Sequence, residues 1–277
     1  MGNTSLIDPE IDGFYSGGSE EARLQLGLGP LEFERNKELI SRYLPESGVA
    51  VADIGGGPGV YAAWLAGLGH NVVLIDPVTR HITTAKKKAA KLRKTFQAIE
   101  AEARSLPLAN ASIDLVILHG PLYHLQNRAD RLKALDEARR VLKPGGVLLA
   151  FAINHCASTV VGLLNGMIHL PGFREMCMQE LQTGTHEPLE NIPGMLPKAY
   201  FHKPADLKAE LTEAGFATPE LYAVEGMIWL DSKYFETRGN DGQKEKMFEL
   251  LRVTERNEEL LAWSPHMMAV GLSQKRF

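Results

Sequence analysis

The chain has 277 residues, 44% hydrophobic and 23% charged, with 30 basic against 34 acidic side chains for a net charge of −4. These proportions exclude extended disorder, a collagen repeat and a disulfide scaffold, and the slight acidity excludes a global polycation for nucleic acid. Two cysteines, Cys156 and Cys177, form no Cys-x-x-Cys pair; they cannot complete a tetrahedral zinc site and fit a reducing compartment. The opening MGNTSLIDPEID lacks the basic and apolar stretches of a secretion signal, and Leu6 stands where myristoylation wants Ser or Thr. No apolar run approaches the ~18 residues of a membrane helix. A soluble cytoplasmic protein is the expectation.

Val49–Ile54 is apolar and ends in glycines, as a buried parallel strand does. Gly59–Leu68 reads as a helix stopped by Gly69, and Asn71–Ile75 as a second buried strand ending at Asp76. A lysine-rich helix is predicted over 79–95, then a short strand over Phe96–Glu102 and a longer one over Ile113–Leu118. Arg128–Leu142 forms a strong helix, with Leu132, Leu135, Ala138 and Leu142 at three- and four-residue intervals. Lys143-Pro144-Gly145-Gly146 stops it before a central strand, Val147–Ile153. Such alternation means right-handed βαβ units on a parallel sheet. Beyond Asn154 the pattern loosens. It resumes with a helix from Lys203 closed by Gly215, a strand over Thr218–Val224, a helix over Gln243–Trp263 and a last strand over His266–Leu272. Insertions at 154–200 and 225–264 then fall on one edge of the sheet, where lids and substrate pockets belong.

The first strand runs into Asp53-Ile-Gly55-Gly-Gly57-Pro-Gly59. Glycines at a strand-to-helix turn let the bare backbone and the helix N-terminus approach a ligand closely. Gly57-Pro-Gly59-Val-Tyr-Ala62 also satisfies the dinucleotide pattern, with Asp76 at near ribose-binding spacing. Asp53 separates the two readings. A pyrophosphate wants no anion beside it, whereas a ligand with ammonium and sulfonium centres welcomes one.

At these residues the chain resembles the class I S-adenosylmethionine (SAM) methyltransferases, through the Asp-x-Gly-x-Gly-x-Gly stretch of Asp53 to Gly59 and through Asp76. Glu102-Ala103 is similar to that family's Asp-Ala pair, and Gly120-Pro121-Leu122-Tyr123-His124-Leu125 resembles a fourth-strand motif of a bacterial small-molecule subgroup. The resemblance implies a Rossmann-like α/β fold, a seven-stranded sheet whose last strand is antiparallel, in a single domain over 1–277 with helical cap insertions. It implies SAM as cofactor and S-adenosylhomocysteine as product. Asp53, Gly55, Gly57 and Gly59 would cradle the cofactor, Asp76 with Pro77 the ribose, and Glu102 with Ala103 the adenine. His119 would border the cofactor, and helices within 1–46 would cover it, with Tyr15 and Arg23 on the methionine carboxylate.

Methyl transfer from a sulfonium needs alignment and exclusion of water more than covalent help, and a base only where the acceptor must lose a proton. His119, His124, His186 and His202 are the candidate bases. Tyr123 and His124, after the strand facing the sulfonium, are the preferred catalytic pair, with Tyr200 and His202 next. His119-Gly120-Pro121 offers no acidic metal ligand after the fourth strand, so no metal is expected. Apart from Met1, all methionines lie beyond residue 160, which suits either core filling or an adaptable apolar pocket. Trp229, Phe173 and Tyr200 are candidates for its aromatic wall. The expected partner is a small-molecule acceptor, with the protein a monomer or homodimer and free of the membrane. The alternative is an RNA-modifying enzyme gripping a phosphate backbone with Arg80, Lys86, Lys87, Lys88, Lys91, Arg93 and Lys94.

Overall fold

The computed structural model describes residues 7–16, 24, 27–45, 48–192, 194–231, 233–234 and 239–274. Two helices, α1 (Pro9–Ser16) and α2 (Gly29–Ser41), precede β1 (Ala50–Ile54), α3 (Val60–Leu68), β2 (Asn71–Asp76), α4 (Thr79–Ala89) and β3 (Gln97–Glu100). There follow β4 (Ile113–Leu118), the single turn α5 (Pro121–His124), α6 (Arg128–Val141) and β5 (Leu142–Ile153). The first insertion contributes α7 (Ala157–Asn165), α8 (Phe173–Thr183) and a small ribbon of β6 (Thr185–His186) with β7 (Ala199–Tyr200). The chain closes with α9 (Pro204–Glu213), β8 (Phe216–Ala223), α10 (Asp241–Thr254) and β9 (His266–Ser273).

The main sheet has seven strands in the order β3-β2-β1-β4-β5-β9-β8. Pairs from β3 to β5 are parallel, while β9 runs antiparallel between β5 and β8, as the family resemblance implies. Alternate residues of each strand face opposite layers. Ala52, Ile54, Val116 and Leu118 pack with Ala134, Leu135, Ala138, Leu207 and Leu211 of α6 and α9. Val51, Leu74, Leu115 and Ile117 pack on the other face with Leu39, Leu65, Ile82 and Ala85 of α2, α3 and α4. The buried Arg35 of α2 reaches Glu255 at 2.7 Å and the Val224 carbonyl at 3.0 Å, tying α2 to the second insertion.

Three predicted boundaries move furthest, each for a local reason. The helix expected over 79–95 stops at Ala89, whose carbonyl takes the Thr95 hydroxyl at 3.2 Å while Phe96 turns into the core. The helix expected over Gln243–Trp263 ends at Thr254, where Glu255 leaves to meet Arg35 and Arg42. Lys143 to Gly146 is an excursion within β5: pairing jumps from Ile113↔Leu142 to Leu115↔Val147. Among the described residues, no helix is long and apolar enough to cross a membrane.

Candidate active site

The chain order reverses between β1 and β4, because β2 and β3 lie to one side of β1 and β4 and β5 to the other. A crevice opens at the carboxyl ends of strands at such a point. Here it is a cleft of about 990 Å³, open mouth included, bordered by the loops after β1, β2, β3 and β4 and covered by α1 through Ile11 and Tyr15. The tight loop after β1 has two packing causes. Gly55 has φ +76°, and a Cβ there would collide with the His119 carbonyl of the β4 loop; at Gly59 (φ +80°) a Cβ would lie 2.9 Å from the Phe96 ring. Between them, the Gly57 N–H donates to Asp76 Oδ2 at 2.9 Å.

Asp53, Asp76 and Glu102 border this cleft, and no Lys or Arg does among the described residues. Asp53 is fully buried, and neither carboxylate oxygen has a hydrogen-bond partner. Burial, then the neighbouring Asp76 charge, push its carboxyl up to about 7, against a smaller opposing pull from the Ala62 N–H. Asp76 is better served: its Oδ1 accepts from the Val78 N–H at 2.9 Å and lies 3.0 Å from His81 Nδ1. Glu102 is ion-paired with Arg104, while Ala103 and Pro77 line the wall.

Tyr15 reaches across from α1 to His124, hydroxyl to Nε2 at 2.8 Å. The His124 ring is enclosed, its Nδ1 has no partner, and desolvation pushes its pKa down to about 3. It is therefore a neutral imidazole at any ordinary pH, and a weak base. His119 stacks on Phe151 at 4.5 Å, with its Nε2 3.8 Å from Glu32 Oε1. Arg23 lies outside the described residues.

A second cavity, about 980 Å³ with its mouth, adjoins the first; Tyr15 and Tyr123 border both. Its wall is mostly apolar, from Ile153, Phe173, Phe201, Met167 and Met195, with His266 at its edge. Two of the late methionines and Phe173 thus stand where an adaptable pocket needs them. Tyr200 instead lies under the Arg131 guanidinium at 3.7 Å, and Trp229 donates its indole N–H to the Trp263 carbonyl.

The structure brings Tyr15, Tyr123, His124, Asp53, Gly55, Gly57, Asp76, Pro77, Glu102, Ala103 and His119 to the first cleft, but not Gly59 or His202. His202 is fully buried 3.2 Å from Glu210, which itself takes Arg131 at 2.8 Å. His186 is held by Glu180 at 2.6 Å and by the Leu196 carbonyl. Both are bonded into the scaffold. Sequence reasoning missed His266 and its buried partner Glu225, whose Oε1 lies 2.6 Å from His266 Nδ1. They stand 41 residues apart, and no local pattern marks either. Glu32, Glu225 and His266 are the one group of three potential metal-ligating side chains found among the described residues, and both Glu225 oxygens already accept hydrogen bonds from the protein.

Residues 52–150 match the family model described as "Methyltransferase domain". The chain is 30% identical over 156 residues to a ubiquinone biosynthesis O-methyltransferase of Cereibacter sphaeroides, covering 56% of this chain and 58% of that protein. It thus spans little more than half the length of that curated relative. A SAM-dependent methyltransferase from Methanosarcina mazei shares the fold, with TM-score 0.58 at 19% identity over 86% of this chain and 98% of that one. So does one from Mesorhizobium loti, with TM-score 0.57 at 15% identity over 87% and 99%.

Proposed function

Residues 52–150 of this class I methyltransferase fold belong to the methyltransferase domain family, and on that premise we propose that the protein moves a methyl group from SAM to a small organic acceptor in the cytoplasm. The observation that carries this reading is the charge of the cleft. Three carboxyl groups border it, the buried Asp53 poised at about 7 to ionise beside a cation, and no Lys or Arg among the described residues does. That lining suits a ligand with ammonium and sulfonium centres and opposes a dinucleotide pyrophosphate. When bound, SAM supplies an activated methyl group that needs no metal or further cofactor.

This chain's residues then divide the work. Asp76 and Pro77 hold the ribose, Glu102 and Ala103 border the adenine, and the loop at Gly55 and Gly57 lets the cofactor lie against backbone. Asp53 faces its cationic end, Tyr15 and Arg23 take the carboxylate, and His119 packs beside it. Tyr15 and Tyr123, which border both cavities, form the gate across which methyl passes, and Tyr123 with His124 orients the acceptor. The second cavity receives that acceptor, and the 154–200 and 225–264 insertions cap it and exclude water. His202 receives no catalytic role in this proposal, since its imidazole is committed to Glu210 outside both cavities.

The names of the sequence relatives support a small-molecule acceptor and lend no support to RNA on the basic strip of α4. The test is transfer of labelled methyl from SAM into small phenols, thiols and amines, set beside bulk tRNA. Label in a small molecule is the expected result. Label in tRNA alone, lost when Lys86, Lys87 and Lys88 are changed to Glu, overturns the reading.

A further inference from the structure

The wall of the second cavity is mostly apolar. Besides Tyr15, Tyr123 and His266, one described side chain on it carries oxygen or nitrogen: Ser158, in the first turn of α7. Ser158 borders this cavity and not the first cleft. Its hydroxyl donates to Glu180 Oε1 of α8 at 3.0 Å. Glu180 is fully buried, and the same oxygen lies 2.6 Å from His186 Nδ1. His186 is fixed in turn, with Nε2 3.0 Å from the Leu196 carbonyl and its ring stacked on Phe201 at 4.7 Å. A free hydroxyl is ambivalent, with one donor and two lone pairs that rotate to suit a neighbour. Here the single proton is committed to a carboxyl group that cannot move away. The hydroxyl oxygen is left able only to accept, and donating to Glu180 polarises it to accept more strongly.

We propose that Ser158 determines acceptor specificity, held by Glu180 and His186 as a one-way hydrogen-bond acceptor. The methyl acceptor is then an apolar ring compound that carries an N–H or O–H donor besides the atom that is methylated. The inference rests on the methyltransferase reading and narrows its substrate class. Donor and methylated atom are separate groups because Ser158 stands away from the first cleft, whereas the methyl group passes at Tyr15 and Tyr123, which border both cavities. The surrounding wall of Ile153, Phe173, Met167 and Met195 fits a flat ring and offers its polar group little else. In such a wall a donor that meets Ser158 is satisfied, while a lone pair in the same place faces another lone pair. A site built this way rejects the isostere that lacks the donor.

The test titrates the full chain, saturated with S-adenosylhomocysteine, with indole and with benzofuran. These rings share a shape, but indole presents an N–H where benzofuran presents an oxygen. Benzofuran is the more apolar of the two, so an indifferent apolar pocket would favour it. The native chain should instead bind indole about 5- to 10-fold more tightly, the worth of one hydrogen bond. Ser158→Ala should bring the two affinities within about twofold by weakening indole, a change of preference that a merely structural serine would not produce. On the native chain, nuclear Overhauser contacts should place the N–H edge of indole beside the Ser158 β-protons, so the proposal stays testable if the variant fails to fold. Equal affinities, a preference for benzofuran, failure of both rings to bind, contacts from the N–H edge to other residues only, or a preference that survives Ser158→Ala overturns it. Calorimetry on the same samples keeps the two failures apart: loss of S-adenosylhomocysteine binding by the native chain would sink the methyltransferase reading instead.

Discussion

The Tyr15 hydroxyl and His124 Nε2 lie 2.8 Å apart, a hydrogen bond that spans 109 residues and fastens α1 to the turn after β4. With Nδ1 of His124 already enclosed without a partner, this bond is the ring's one polar contact in the described structure. Tyr15→Phe should therefore cost on the order of 1–3 kcal/mol of stability, the penalty for a buried polar group left unpaired. Amide exchange over residues 9–16 should quicken. Unchanged melting and unchanged exchange would mean that α1 is held by something else.

Asp53 and His124 predict opposite pH dependences. Asp53 has its folded pKa raised to about 7 from 3.8, so the unfolded chain loses this proton first; the stability it allows is complete below about 4 and falls as pH rises to 7. His124 has its folded pKa lowered to about 3 from 6.5, so stability is complete above 6.5 and falls as pH drops towards 3. Asp53→Asn should raise the melting temperature at pH 8 and leave it unchanged at pH 4. The same variant should weaken SAM binding at pH 8, because a neutral amide no longer answers a cation. Melting curves at the two pH values check the first claim and calorimetry the second.

Asp76 holds the site together before any ligand arrives, since its two oxygens meet the Gly57 and Val78 N–H groups and His81. Asp76→Ala should weaken SAM binding by about 10- to 100-fold, the worth of one or two charged hydrogen bonds. Circular dichroism should show the sheet intact. A variant that binds SAM as tightly as the parent would place the ribose elsewhere.

The Arg131–Glu210–His202 knot is predicted to serve stability and not chemistry. Glu210→Ala strands a buried guanidinium and should cost about 3–5 kcal/mol in denaturant unfolding. The carboxyl of Glu210 is held down to about 2 by hydrogen bonds from His202 and Arg131 that outweigh its burial. Its contribution is therefore complete above about 4.5 and lost as pH falls towards 2. His202→Gln should lower stability while SAM affinity stays within about twofold. A selective loss of turnover in a fully stable His202→Gln protein would restore that histidine to the active site.

Where neighbours in sequence are neighbours in the site, the site was legible. Asp53 to Gly59 is one strand-to-helix turn, Asp76 ends a strand that its apolar run marks, and Ala103 lies in the loop just past β3. The antiparallel β9 came from the family resemblance, since nothing in His266 to Ser273 announces its direction. Distant pairings were illegible. His202 reads as a candidate base until Glu210 and Arg131 are found beside it, and His266 reads as the start of a strand until Glu225 arrives from 41 residues away. The end of α4 failed for a similar reason: the lysines continue past Ala89, but Phe96 must turn inward to pack against Gly59.

The most direct test of the account is calorimetric titration of the purified chain with SAM, S-adenosylhomocysteine and NAD in parallel. The carboxylate-lined cleft predicts that SAM and S-adenosylhomocysteine each bind one to one, that Asp53→Asn weakens SAM more than its uncharged-sulfur product, and that NAD gives no heat. Binding of NAD in preference to SAM would contradict it.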